Sequence, residues 1–133
     1  MSVFRSVAIF DEVPGTIRRP AITLRLASEK VTAREIVRQR VETEVAAYNS
    51  KGSRVFRGLI EPVGAERALN GYRLKKNKQI AADIQVEIAL KAIAADQVIM
   101  FVDDHQVDDL EDELALTDSS EIVFLKLVPL VGG

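Results

Sequence analysis

Apolar and polar residues alternate over "VFRSVAIF" (3–10) and again over "AITLRLAS" (21–28), the two-residue period of a half-buried strand. Pro14-Gly15 lies between them as a turn signal, so the chain is expected to open with a hairpin. The period then changes. In "VTAREIVRQRVETEVAAYN" (31–49), Ile36, Val37, Val41 and Val45 recur at helical spacing, with Arg34, Arg38, Glu42 and Glu44 directed elsewhere. Thr32 and Glu35 have the spacing of a capping box, Val31 and Ile36 that of a hydrophobic staple, and "NSKG" (49–52) is a helix stop.

From "RVFRGLI" to Lys76 the periodicity is weak and broken by Pro, Gly and Asn-Gly, with at most a short strand at the start. A second helix is expected from Asn77, with Ile80, Ile84 and Ile88 four residues apart and Ala81, Ala92 and Ile93 beside that stripe. The last third returns to strands. "QVIMFV" (97–102) reads as a buried strand, Asp103-Asp104 as a tight turn into "HQV", "DLEDELAL" as an acidic connector, "TDSS" as a turn and "EIVFLKLV" (121–128) as the final strand. The order β-β-α, a segment with its own helix, then β-β-β predicts an α+β fold with helices on one face of a mixed sheet.

Composition narrows the chemistry. The 133 residues suit one domain and are 47% hydrophobic, enough for a core. There is no cysteine, which removes disulfides, thiolate metal sites and a cysteine nucleophile. No leader-like start and no apolar run of about 18 residues is evident, so no membrane association and a cytoplasmic location are expected. The net charge of −2 conceals a division. Residues 1–78 carry 16 Lys and Arg against 8 Asp and Glu, a net of +8; residues 79–133 carry 2 against 12, a net of −10. Such a split predicts two electrostatically distinct faces and charge-steered docking, with solvated hairpin acids as the plainer reading.

Candidate chemistry is sparse. His105, the single histidine, follows two aspartates that a tight turn explains without a metal or an acid–base pair. No serine stands out as a nucleophile, and no catalytic residue is assigned. "RLKKNK" (73–78) reads as a solvated basic loop, so no nucleic acid is expected, and the absence of a phosphate-binding glycine loop predicts no bound nucleotide or other cofactor.

The segment "QVIMFVDDHQV…LALTDSSEIVFLKLVPLVGG" resembles the C-terminal half of ubiquitin-like β-grasp proteins, in which a strand, tight turn, short strand and connector lead to a last strand ending in Gly-Gly. The tail "VPLVGG" is similar to that of the sulfur-carrier branch, the molybdopterin-synthase small subunit and its thiamine-pathway relative, where a proline also precedes the glycines. The likeness covers 97–133, and over 3–50 the hairpin–helix order agrees. Residues 51–96 stand outside it as an insertion. Long cysteine-free chains of this kind look most like the ubiquitin-like modifiers of bacterial conjugation systems.

The resemblance implies one β-grasp domain over 1–133, with the insertion at about 51–96 and a flexible tail at 129–133. It implies that the chain is a substrate of other enzymes and not itself an enzyme. The Gly133 carboxylate, with Gly132 before it, would be adenylated by an E1-like enzyme. Further partners would be an E2-like enzyme, a deconjugating protease and the target proteins. The alternative is a sulfur carrier bearing a C-terminal thiocarboxylate; a binding module with an incidental tail is a third reading. Glycine at both ends of the reactive pair passes a narrow channel and adopts dihedrals that a Cβ forbids. Pro129 fixes an extended exit from the sheet, and five residues from Pro129 reach about 16–18 Å. Leu125 and Leu127 would face outward beside Met100 as the surface that partners grip, with Pro129, Leu130 and Val131 contacted along the tail. Lys126 would then point inward, its stem buried and its ammonium in water. Both faces of the last strand are apolar, so its alternation alone leaves open which one fills the core.

Overall fold

The computed structural model describes residues 5–27, 30–51, 55–62, 66–68, 71–74 and 79–127. Strands β1 (Arg5–Glu12), β2 (Arg19–Leu26) and β3 (Lys30–Thr32) precede helix α1 (Ala33–Lys51). Short strands β4 (Val55–Phe56), β5 (Glu66–Ala68) and β6 (Gly71–Arg73) lead to helix α2 (Ala82–Ala94). Strands β7 (Val98–Val102), β8 (His105–Gln106), β9 (Glu113–Ala115) and β10 (Glu121–Lys126) complete the order. The chain divides into two compact units, residues 1–36 with 91–133, and residues 37–90.

The first unit holds a mixed five-stranded sheet in the order β2-β1-β10-β7-β8. β1 and β2 form the expected antiparallel hairpin around a turn in which Gly15 has φ +84° and the Thr16 N–H reaches the Val13 carbonyl at 3.0 Å. β10 inserts parallel to β1 and antiparallel to β7, so the last strand in sequence is the central strand of the sheet. The register aligns Ile9 with Ile122 and Asp11 with Phe124, and on the other side Phe124 with Met100. Residues opposite one another share a face. One face therefore carries Val7, Ile9, Ile122, Phe124 and Met100, each no more than 1% exposed.

In that unit β3 pairs with β9, a strand pair not foreseen from the sequence. It brings the acidic connector to the start of α1, where free N–H groups need acceptors. Thr32 Oγ1 accepts the Glu35 N–H at 3.2 Å, as the capping box requires. The Ala33 and Arg34 N–H groups donate to the carbonyls of Asp112 (3.0 Å) and Leu110 (2.8 Å). Asp103-Asp104 forms the expected tight turn, both residues at positive φ (48° and 68°), which matches the twist of a two-residue hairpin. The Thr117–Ser120 turn is also as expected, closed by the Ser120 N–H on the Thr117 carbonyl at 3.1 Å.

The second unit contains a three-stranded sheet, β4-β6-β5. The apolar stripe Val37, Val41 and Val45 is at most 2% exposed, and Tyr48, one turn on, meets the Phe56 ring edge-to-face at 5.8 Å. Glu44, which spacing places off that stripe, is nonetheless enclosed, its side chain 8% exposed. It pairs with the fully buried Arg40 at 3.2 Å and accepts the Leu59 N–H at 3.1 Å, fixing the chain after β4. The Asn49 side chain clasps Ile80 by bonding both its carbonyl and its N–H at 3.0 Å. Ile80 is thus held in irregular chain, and α2 begins only at Ala82. Its buried residues are Gln85, Val86, Ala89 and Ala92, while Ile84 is 52% exposed, so the expected isoleucine stripe is not the buried face.

A buried carboxylate and guanidinium stabilise a fold only as a pair; removing one leaves the other charged without compensation. Glu44→Ala is therefore expected to lower the unfolding free energy by about 3–5 kcal/mol in urea denaturation. Arg40→Met combined with Glu44→Gln, which keeps an acceptor for Leu59, should recover most of that loss.

Candidate functional site

The opposite face of the five-stranded sheet is apolar as well. Register places Phe10, Val123 and Phe101 side by side across β1, β10 and β7, with Pro20 and Gln106 continuing the row at its two ends. In the next row Leu125 lies between Glu12 and Ile99. Beyond β10, Leu127 donates its N–H to the Gln97 carbonyl at 3.0 Å and is 37% exposed. Val123 is only 5% exposed, enclosed by its two phenylalanine neighbours, whereas Phe10, Ile99, Phe101 and Leu125 are half-buried. A sheet face lined this way offers an apolar surface with a polar margin.

The margin is charged. Arg18 lies with its guanidinium carbon 5.9 Å from the centre of the Phe10 ring and bonds Glu121 at 3.1 Å, with Glu12 and Asp104 each at 3.8 Å. These partners are largely solvated, so the cluster orders the edge of the face and adds little stability.

Leu125 and Leu127 occupy the outer side of β10, as expected from the resemblance. Met100 does not. It is 1% exposed and opposite Phe124 on the buried side, because β7 alternates and residues 99 and 101 take the outer positions. The residues that replace it on the outer face are Ile99, Phe101 and Phe10. For Ile99 and Phe101 the sequence signal is ambiguous: β7 is apolar at every position from Val98 to Val102, so both of its faces are apolar and only pairing with β10 decides which is outer.

Lys126 is directed to the buried side, two residues after Phe124. Its ammonium meets Asp11 at 3.5 Å, with the two side chains 26% and 22% exposed. Asp11 is aligned with Phe124 on the neighbouring strand, so the inward lysine finds a carboxylate at the end of the sheet. Pro129, Leu130, Val131, Gly132 and Gly133 lie outside the described residues.

Part of the acidic set serves the fold. The Asp103 carboxylate accepts the Glu121 N–H at 2.9 Å, Glu111 pairs with Arg34, and the Asp109 carboxylate accepts the Glu111 N–H at 2.8 Å. His105 Nδ1 contacts the Asp103 carbonyl at 3.0 Å, a local turn bond. Among the described residues, no three His, Asp or Glu side chains converge as metal ligands, and no helix is long and apolar enough to cross a membrane.

Neither a scan against protein-family models nor a search of curated proteins gives a match.

The two sides of β7 and β10 should respond differently to a carboxylate. Leu127→Asp is expected to change the unfolding free energy by no more than about 0.5 kcal/mol. Met100→Asp, which buries the charge opposite Phe124, should cost several kcal/mol or prevent folding. Thermal denaturation followed by circular dichroism compares them.

Proposed function

We propose that this chain is a ubiquitin-like protein modifier of the β-grasp type, activated at the carboxylate of Gly133. The observation that carries the reading is the strand order β2-β1-β10-β7-β8 with β10 parallel to β1. A hairpin, a helix, and a last strand returning to the centre of the sheet is the arrangement that the resemblance implies. In sequence, β10 leads directly into "VPLVGG" (128–133).

A carboxylate is a poor acyl donor at neutral pH. In the proposed sequence an E1-like enzyme joins the Gly133 carboxylate to the α-phosphate of ATP, releasing pyrophosphate and giving an acyl-adenylate. A cysteine thiol of that enzyme then displaces AMP to form a thioester. Transfer to an E2-like enzyme and attack by an amine of the target releases the thiol and leaves an amide. This chain contributes the acyl group, a tail narrow enough to thread and a surface that holds the tail in register; most of the rate comes from such positioning. Gly133 serves equally as the end of the translated chain or as an end uncovered by a protease.

The outer face supports the same reading. Phe10, Ile99, Phe101, Leu125 and Leu127 form an apolar surface on the strands from which the tail leaves. An activating enzyme gripping that face would hold the exit of β10 at a fixed distance from its nucleotide. The proline and glycines of the tail equally suit a sulfur carrier, in which a sulfide-level donor attacks the acyl-adenylate, AMP leaves and a thiocarboxylate is formed.

Intact-mass spectrometry after incubation with an activating enzyme and ATP tests the proposal. The chain ending at Gly133 should yield an adenylate or a thioester, and the chain lacking Gly133 should yield neither while keeping its circular dichroism spectrum. A thiocarboxylate as the product establishes the carrier reading. Equal activity after deletion of Gly133 overturns both.

A further inference from the structure

β7 is paired along its whole length on one side only. β8 covers it at Phe101 and Val102, and the Val107 N–H reaches the Met100 carbonyl at 2.9 Å, after which the chain turns away. The Gln97 carbonyl faces β10, where it accepts the Leu127 N–H. Alternation then directs the backbone groups of Val98 to the open side, together with the Met100 N–H. Among the described residues no strand pairs with β7 there. An unpaired strand edge is a template for another strand.

That edge opens into a pocket of about 540 Å³, within the range that holds peptides and small ligands. Its apolar lining includes Ile93, Val107 and Leu110, and its acids are Asp96, Asp108 and Asp109. Among the described residues Arg34 is the one basic side chain in the lining, and it is already paired with Glu111. No basic side chain among the described residues pairs with Asp96 or Asp108.

Asp96 is an unusual occupant of its position. α2 ends in a Schellman-type turn, with the Gln97 N–H on the Ala92 carbonyl at 2.9 Å and the Asp96 N–H on the Ile93 carbonyl at 3.1 Å. Asp96 holds the left-handed conformation, φ +59°, where glycine is usual. Its carboxylate also lies at the negative end of the helix, where a cation is favoured. Aspartate tolerates this conformation better than most residues, but the field of the helix argues against a carboxylate there.

We propose that this pocket receives an extended, lysine-bearing peptide segment of a partner protein, which adds a strand to β7 at Val98 and Met100. Backbone pairing supplies the affinity common to strand addition, and alternate side chains supply the selectivity. One set of the peptide's side chains rests on Ile93, Val107 and Leu110. The other set presents ammonium groups to Asp96 and Asp108, which pair with no basic side chain among the described residues. This surface lies on the opposite side of β7 from β10 and does not involve Gly133, so it stands or falls separately from activation of the tail.

The probe is an acetylated, amidated peptide of alternating valine and lysine, titrated into the ¹⁵N-labelled full chain and followed by NMR. Saturable shifts are expected at the amides of Val98, Met100, Val107 and Asp108. Replacing the lysines by glutamates should weaken binding at least about tenfold, and Asp96→Asn with Asp108→Asn should weaken the lysine peptide about three- to tenfold while leaving the rest of the spectrum in place. Methylating the backbone nitrogens that face the protein should abolish binding. The proposal is overturned by the absence of saturable shifts up to about 1 mM peptide, by shifts confined to Phe101 and Leu125 on the outer face, or by a methylated peptide that binds equally well. It is also overturned if the same amides move on raising the protein concentration alone, which assigns the pocket to a second copy of the chain.

Discussion

The parallel pairing of β1 with β10 is the constraint on which the rest of the five-stranded sheet depends. Without β10, the β1–β2 hairpin and the β7–β8 hairpin are separate two-stranded ribbons, each marginal in water. With it, Phe124 lies between Asp11 and Met100, and Val123 between Phe10 and Phe101. A one-residue slip would exchange these rows between faces and turn Phe124 outward. The register therefore fixes both the core and the apolar outer surface. The Lys126–Asp11 pair sits on the buried side at the end of the same two strands, where a slip would separate an inward ammonium from its carboxylate.

The acidic connector has a second role beside its charge. Its carbonyls at Leu110 and Asp112 satisfy two N–H groups of α1, and Glu111 pairs with Arg34 in the first turn. Acidic side chains close to a helix N-terminus are also favoured by the helix dipole. The negative charge of the C-terminal half is thus partly accounted for by the fold. Asp96 and Asp108 are not explained in this way, and they line the pocket beside β7.

The sequence was most legible where one local signal acted alone. Pro14-Gly15 marked the first turn, Thr32 and Glu35 the start of α1, and Asp103-Asp104 the second hairpin. Legibility failed where distant chain decided the outcome. Met100 could not be assigned a face from "VIMFV", since every position is apolar and parity comes from pairing with β10. The helix around Ile84 was displaced because Asn49, over thirty residues away, holds Ile80 outside it. Glu44 belonged to a polar stripe by spacing, yet its partners are a buried arginine and the backbone of Leu59. The β5–β6 hairpin was not legible because its strands are only three residues each and carry no clear alternation. The outer face was half legible: Leu125 and Leu127 from the last strand, but not the phenylalanines that flank Val123.

The orientation of β1 and β10 also has a mechanical consequence. The strands run the same way, so the beginning of β1 and the end of β10 lie at opposite ends of the pair. Tension applied between those two points loads the interstrand hydrogen bonds in shear, all at once. The β1–β2 hairpin, pulled at its open end, would instead unzip one bond at a time. Resistance to pulling is a matter of the unfolding rate and not of equilibrium stability. A chain of modest stability built on this pair would still yield slowly when hauled by its tail.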